Sequence, residues 1–457
     1  MADGKPVMHT NLFIEHLKSL PSYQGQVCHV EHISARKARY GDLARPLPRP
    51  LLRALDAAGV SDLYAHQAAA ISAVRDGHHV AVTTSTASGK TLCYNLPVLE
   101  SLHGDPSGRG LYLFPTKALA QDQMRNLGEL VRSAGLDLLC GTYDGDTPRS
   151  ERGRIRKTAS ILLTNPDMLH MGILPNHRLW AQFLANLRFV VVDEAHAYRG
   201  VFGSHVACVL RRLRRLCRRY RSEPVFICCS ATIANPAEHV ENLTGLPPVV
   251  IADDGSPRGS RDFVLWNPPF VDEKKSARRS ANVEASRLFT ELVRHGLRNI
   301  TFTKARKVAE LILHYSREIL AKEDPDLVPL IRSYRAGYLP RERREIEQAL
   351  FRGKLLGVTA TTALELGVDI GALDATVLVG YPGTVASTWQ QAGRSGRGAR
   401  DSVSFLIGLD NPLDQYFMRH PEQLFGSSPE NALLDAGNLY VLRGHLPCAA
   451  YEMPLSS

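Results

Sequence analysis

Residues 79–99 read HVAVTTSTASGKTLCYNLPVL, and the order of chemistry along this stretch decides the fold. An apolar, β-rich run, His79–Thr84, passes into the small-residue loop STASGKT at 85–91 and then into an apolar segment of helical character. Small residues let backbone N–H groups approach phosphate oxygens, and a helix beginning at the loop's end adds the partial positive charge of its N-terminus. Thr86, Ala87, Ser88 and Gly89 are therefore candidates for the walls of a phosphate cradle. Lys90 is placed to reach the β/γ-phosphates and Thr91 to hold Mg²⁺ through its hydroxyl, so the cofactors expected are ATP and Mg²⁺. Thr84 stands where the first glycine of this loop pattern usually falls.

Working outward, short apolar runs alternate with helix-like segments. Strands are expected at Leu111–Phe114, Ser160–Leu163, Phe189–Val192 and Val225–Cys229, and in a second set at Asn299–Phe302, Leu356–Thr359, Ala375–Val379 and Ser402–Ile407. Runs that are apolar on both faces suit central strands of a parallel sheet covered by helices. The expected class is α/β, with two tandem doubly wound parallel-sheet domains and short N-terminal and partial C-terminal extensions. The turn formers DDGSPRGSR at 253–261 and the charge run DEKKSARRS at 272–280 separate the two sets. The boundaries read as an extension over 1–44, a first domain over 45–254, a linker over 255–280 with one short strand at Asp262–Trp266, a second domain over 281–425 and the start of a truncated module over 426–457.

Downstream of the cradle, the run FVVV ends in Asp193-Glu194-Ala195-His196. Carboxylates at the carboxyl end of a strand are where α/β sheets place chemistry. Asp193 is expected to hold Mg²⁺ and Glu194 to orient or deprotonate an attacking water. In the second domain, QQAGRSGR at 390–397 offers Gln390, Arg394 and Arg397. An arginine brought to a γ-phosphoryl group is worth roughly 10³–10⁵ in rate, and two arginines three residues apart would share one face of a helix.

The 457 residues carry 55 Lys and Arg against 46 Asp and Glu, a net charge of +9. That excess suits a polyanionic partner, or equally a merely soluble basic surface. The eight cysteines form no CxxC pair, so no four-cysteine zinc site is legible, and their scatter fits reduced thiols in a cytosol. No signal peptide or membrane span is visible. The segment 206–221, VACVLRRLRRLCRRYR, places Val206, Leu210, Leu213, Cys217 and Tyr220 on one helical stripe and arginines around the rest. Those arginines are either a phosphate-tracking face or a solvated basic one, and the same two readings apply to Lys304, Arg306, Arg335, Arg341, Arg343 and Arg344. Tyr381 and Trp389 are either base-stacking residues or core, with core favoured for Trp389.

Together these motifs, in this order over about Arg45 to Pro421, resemble the DEAD/DEAH-box helicases of superfamily 2, whose domains are RecA-like. The resemblance implies that Gln67 in LYAHQAAAI reads adenine, although the aromatic the family carries upstream has no clear counterpart. It further implies strand contacts at Pro115, Thr116, Lys117, Thr164 and Asn165 in the first domain and at Thr361 in the second, where Thr303, Lys304 and Tyr381 are further candidates for contact with nucleic acid. His196, Ser230 and Thr232 match the residues that couple hydrolysis to movement, and Gly367 and Asp369 match contacts to the nucleotide ribose.

A finer match lies in TSTASGKT, PTKALAQDQ, DEAHAYRGVFGSHVA, ATTALELGVDIGALDA, QQAGRSGRG and NPLDQYFMRHPE. These look like the MrfA/YprA branch of bacterial DNA-repair helicases, with RecQ-like relatives in fungi and plants. The branch implies 3′-to-5′ translocation on single-stranded or partly duplex DNA in the bacterial cytosol. It also implies a C-terminal four-cysteine zinc domain. This chain ends before any such cluster, so the expectation is the front half of a longer protein or a truncated relative. An RNA helicase, or a nucleic-acid clamp with little unwinding, are the alternatives.

Overall fold

In the computed structural model the described residues are 9–272, 274, 277–335, 337–365, 371–396 and 400–455. In chain order the strands are β1 (Val27–Ile33), β2 (Val80–Thr83), β3 (Arg109–Leu113), β4 (Cys140–Thr142), β5 (Ile161–Thr164), β6 (Leu187–Val192), β7 (Val225–Ser230) and β8 (Val249–Ile251). They continue with β9 (Arg261–Trp266), β10 (Asn299–Phe302), β11 (Ile331–Tyr334), β12 (Gly357–Ala360), β13 (Ala375–Val379) and β14 (Ser402–Ile407).

The chain divides into two units. The first comprises Arg39–Ser256 and Asn431–Ser457, and the second Met1–Ala38 and Pro257–Glu430. The sheet of the first unit has the order β4-β5-β3-β6-β7-β2-β8, with every neighbouring pair parallel. Its central strands are buried on both faces, which is why they read as unbroken apolar runs. Successive side chains alternate between two cores: Val80, Val82, Leu163 and Val191 enter one, and Ala81, Leu162, Val190 and Val192 the other. Helices Lys90–Gly104 and Lys117–Ala134 cover the first core, and Gly200–Arg219 covers the second.

The second unit has the order β1-β9-β14-β13-β10-β12-β11, parallel throughout except that β1 runs antiparallel to β9. Here the expected boundaries give way. The segment 255–280 is not a linker around a stray strand, because β9 lies inside the sheet between β1 and β14. The N-terminal segment belongs to this unit as well. Helix Thr10–Ser19 buries Phe13, Ile14 and Leu17 in its core, and β1 forms the sheet's edge. Strand β1 alternates half-buried and exposed residues and carries His29, Glu31 and His32. Such a polar edge strand blunts pairing with other chains and leaves little apolar signal to read.

The last segment folds back onto the first unit. Helix Leu439–Glu452 packs on Gly200–Arg219, the arginine-rich helix, and this resolves the role of most of those arginines. Val206, Leu210, Leu213 and Cys217 are buried as the periodicity predicts. Arg211 and Arg214, however, donate to the carbonyls of Leu243, Thr244 and Gly245, closing the C-terminus of helix Pro236–Thr244. Arg215 donates to the carbonyls of Ala449, Met453 and Pro454. Arg212 is buried and pairs with both oxygens of buried Glu452, its Nε lying 3.0 Å from Oε2. Its Nη1 also donates to Nδ1 of His170 and of His445, at 2.8 and 3.1 Å. Burial, reinforced by the Arg212 charge, pushes the His445 imidazole down to about 4, so it is the neutral acceptor this geometry needs. Four of the six arginines thus serve packing, and only Arg218 and Arg219 stay exposed.

Breaking one side of a buried pair strands the other charge, at a cost of about 3–5 kcal/mol, whereas replacing both with apolar groups is often neutral. Glu452→Ala should therefore lower the urea midpoint of the protein markedly, and Arg212→Met with Glu452→Leu should lower it less. Equal loss in both variants would show that the pair does not hold the helix.

Candidate active site

Three loops converge at the carboxyl edge of the first unit's sheet because β6, β7 and β2 are neighbours. The cradle follows β2, the Asp193–His196 turn follows β6, and Ser230-Ala231-Thr232 closes β7. Gly89 sits in the left-handed region at φ 79°, and a Cβ there would lie 2.6 Å from the Gln67 amide nitrogen, so a side chain would be strained and would displace Gln67. Ala87 also takes a positive φ, 63°, but Thr84 does not. The missing first glycine is thereby explained: the backbone at position 84 makes no demand that a threonine cannot meet. Its buried hydroxyl lies 2.6 Å from Ser88 Oγ and stiffens the loop from within.

Residues far away in sequence fasten the cradle. Gln67 accepts from the Tyr64 N–H through Oε1 and donates to the Gly89 carbonyl through Nε2, at 2.9 and 3.0 Å. His66 accepts the Gly255 N–H at Nδ1, so its Nε2 carries the proton and donates to the Ser88 carbonyl at 3.0 Å. Asp254 accepts from both the N–H and the hydroxyl of Ser85, at 3.2 and 2.5 Å. Lys90 Nζ donates to the carbonyls of Thr84 and Ser85, at 2.9 and 2.7 Å. Beside the loop, Tyr40 stacks on Tyr64 and Tyr64 on His66, with ring centroids 5.8 and 5.9 Å apart.

Asp193 is buried and accepts the Tyr94 hydroxyl at 3.2 Å and the Glu194 N–H at 2.9 Å. Loss of hydration, reinforced by the adjacent Glu194 charge, pushes its carboxyl up to about 7. Glu194 occupies the left-handed region at φ 50° and ψ 45°, a strained position for a side chain of its size. His196 accepts the Ala231 N–H at Nδ1, 3.1 Å away, which joins the β6 turn to the β7 turn. Burial lowers the pKa of His196, consistent with a neutral acceptor. Thr91 Oγ1 lies 3.5 Å from Gln123 Oε1, Ser230 donates to the Ala231 carbonyl and Thr232 is exposed.

Along the same edge, β3 and β5 present Pro115-Thr116-Lys117 and Thr164-Asn165. Thr116 and Lys117 are exposed, Thr116 capping helix Lys117–Ala134 and Lys117 reaching Asp146 at 2.7 Å. Thr164 is buried, its hydroxyl donating to the Tyr143 carbonyl, and Asn165 caps the turn at Met168. In the second unit, Thr303, Lys304, Thr361 and Tyr381 follow the adjacent strands β10, β12 and β13. Lys304 is exposed, but Thr303 and Thr361 are buried, so of these side chains only the lysine is open to a strand. Tyr381 corrects the base-stacking expectation: its ring is buried 4.7 Å from that of Phe417 and has no free face. Trp389 packs against Phe263 and Phe425, as favoured.

Gln390 and Arg394 are buried in the second unit, where Arg394 donates to the Glu365 carbonyl and Gln391 to the Glu365 carboxylate. Helix Val385–Ala392 ends before Arg394, so the expectation of two arginines on one helical face does not hold. Gly367, Asp369 and Arg397 lie outside the described residues.

The model of the DEAD/DEAH box helicase family matches residues 64–240, and that of the helicase conserved C-terminal domain matches 284–399. The chain belongs to the DEAD/DEAH-box helicases. It is 50% identical over 422 residues to the uncharacterized ATP-dependent helicase YprA of Bacillus subtilis, a match covering 92% of this chain and 56% of that one. Identity to the ATP-dependent helicase HRQ1 of Saccharomyces cerevisiae is 42%, over 97% of this chain and 42% of the yeast protein. A crystal structure of the DUF1998 helicase MrfA bound to DNA matches with a TM-score of 0.93 and 48% identity, covering 98% of this chain and 59% of that one. The same helicase bound to DNA and AMPPNP matches with a TM-score of 0.92, covering 98% of this chain and 62% of that one. These relatives are those of the MrfA/YprA branch, and the helicase chain described here spans about half the length of the curated ones.

Several residues of the candidate site have no clear motif in sequence. Tyr94 follows Thr91 by one helical turn, a spacing that could have suggested it. Asp254 and His66 act on a loop that no local pattern connects to them, and Tyr40 declares itself only through its stack on Tyr64.

An acid whose folded-state pKa lies above its unfolded value stabilises the fold below the unfolded value, 3.8 for Asp193, and loses that contribution as pH rises through about 7. Asp193→Asn removes the charge and lets the amide nitrogen face the Tyr94 oxygen. By scanning calorimetry without nucleotide, the variant should melt above the parent at about pH 8, the gap closing as pH falls toward about 4. Identical melting at the higher pH would refute a desolvated carboxylate.

Proposed function

We propose that this chain is the motor of an ATP-dependent DNA helicase, hydrolysing ATP to move along single-stranded or partly duplex DNA. The observation that carries the reading is the convergence of Lys90, Asp193, Glu194 and the His196–Ala231 link at the ends of β2, β6 and β7. In this reading the Lys90 ammonium exchanges the Thr84 and Ser85 carbonyls for β/γ-phosphate oxygens. Gln67, already anchored to Gly89, faces the base, and Tyr40 offers an exposed ring stacked on Tyr64. Glu194 orients the attacking water and takes its proton.

Asp193 and Thr91 suit Mg²⁺, since a carboxylate destabilised by burial beside a second carboxylate gains from a cation. The ion's contribution, when bound, is to neutralise phosphate charge. His196 relays the state of the β6 turn to the main chain of Ala231, which assigns a coupling role to Ser230 and Thr232. Gln390, Arg394 and Arg397 are assigned to turnover, and Gly367 and Asp369 to the ribose, on family resemblance.

The DNA-bound relatives favour DNA over RNA as the track. Lys117 and Lys304 are exposed cations that can meet backbone phosphates, contacts that are indifferent to base order. The 3′-to-5′ direction and a role in DNA repair are proposed from the branch. A cytosolic setting accords with eight free cysteines. Among the described residues no helix is long and apolar enough to cross a membrane.

Lys90→Ala is expected to abolish DNA-stimulated ATP hydrolysis, and near-parental turnover in that variant would remove the site assignment. Glu194→Gln should retain nucleotide binding, measured with a fluorescent ATP analogue, while losing turnover by about 10²-fold or more. Stimulation of the parent ATPase by RNA as strong as by the matching DNA oligonucleotide would overturn the choice of DNA, since only RNA contacts can use the 2′-hydroxyl.

A further inference from the structure

On the second unit, helix Thr10–Ser19 meets the end of helix Ala281–Arg294, and the contact places three metal-binding side chains together. His16 comes from the first helix, and Glu291 and His295, four residues apart, from the last turn of the second and its cap. One ligand atom from each lies within 4.8 Å of the other two. His16 Nε2 is 3.1 Å from Glu291 Oε2, and the two imidazole rings are 4.3 Å apart. Ligands on a tetrahedral ion at metal–ligand distances of about 2.0–2.2 Å sit about 3.4 Å from one another, so the pocket is already near the size of a coordination sphere.

The surrounding shell is organised as metal sites require. His295 Nδ1 lies 2.9 Å from the Glu291 carbonyl, which can only accept, so Nδ1 carries the proton and Nε2 is left with its lone pair. Phe13 is fully buried and packs edge-on against the His295 ring at 5.8 Å, fixing its plane. Arg294 Nη1 holds the other carboxylate oxygen, Glu291 Oε1, at 2.8 Å, leaving Oε2 to face His16. A backbone carbonyl behind one histidine and a cation behind the carboxylate are the outer contacts that orient first ligands. Glu291 also lines a cavity of about 600 Å³ beside Leu17, Tyr23 and Trp266.

We propose that His16, Glu291 and His295 form a binding site for one divalent transition-metal ion of the zinc class, with water completing the coordination. Two imidazoles and a single carboxylate select such an ion over Mg²⁺ or Ca²⁺, which prefer all-oxygen shells. The site clamps the N-terminal helix to the second unit. It is separate in residues and in chemistry from the nucleotide site of the first unit.

The test is metal binding by the whole chain after chelator treatment, titrated with Co²⁺ and followed by ligand-field absorption, then repeated with Zn²⁺ by calorimetry. The expected result is one ion bound through nitrogen and oxygen ligands and a rise in melting temperature with the first equivalent of Zn²⁺. Mg²⁺ should not compete. His16→Ala and His295→Ala should each weaken that equivalent by more than about 100-fold, beyond what loss of an outer-shell partner costs. His314→Ala, at an exposed histidine that also neighbours a glutamate, should leave it unchanged. Circular dichroism of the metal-free variants separates loss of the ligand from loss of the fold. Zinc binding of equal strength in parent, His16→Ala and His295→Ala, for example at the free cysteines, would overturn the proposal, as would the absence of any equivalent in the folded parent.

Discussion

Asp193 sits where a carboxylate is poorly solvated, and much of the first unit is arranged around that fact. It ends a strand buried on both faces, so water is excluded by the same packing that forms the sheet. Charge at that point is eased by two directed contacts, from the Tyr94 hydroxyl and the Glu194 N–H, and by the field of the nearby Lys90 ammonium. The chain turns sharply enough to put Glu194 in the left-handed region, so the second carboxylate follows the first without a spacer. Strain and desolvation are concentrated at one turn because the flanking strands leave that turn no freedom to relax. A buried, partly neutralised acid of this kind is stabilised as a carboxylate by a nearby cation.

The same economy governs the cradle. Its loop lacks a glycine at position 84, yet its shape is held from the side by bonds from His66, Gln67 and Asp254 and from within by the Thr84–Ser88 contact. The His196–Ala231 hydrogen bond then ties the β6 turn to the β7 turn. Adjacency of β6, β7 and β2 is the reason so few bonds suffice.

The two units exchange segments of chain. The N-terminal helix and β1 complete the second unit, and the final helix completes the first. Arginines that look in sequence like a basic surface are used to receive that final helix, because a guanidinium can satisfy carbonyls and a carboxylate at once. A high local density of arginine therefore says little about a nucleic-acid path until the partners of each guanidinium are known. Arg212 and Arg215 face protein, whereas the exposed Lys117 and Lys304 stand at strand ends.

What was legible in sequence was local. The apolar runs of the central strands, the small-residue loop before Lys90, the carboxylates after FVVV and the stripe from Val206 to Cys217 follow from backbone geometry and burial within a few residues. They determined the α/β class and the position of the candidate nucleotide site. Short or polar strands such as β1, β4, β8 and β11 escaped notice because edge positions need no continuous apolar signal. Only the tertiary structure decided that β9 belongs inside the second sheet, that Tyr381 is core, that Asp254 secures Ser85 across 169 residues and that Glu452 neutralises Arg212 across 240. The physical reason is that these pairings depend on strand order and on where the chain returns, which are settled by the total burial of both sheets and leave no periodicity in any one segment.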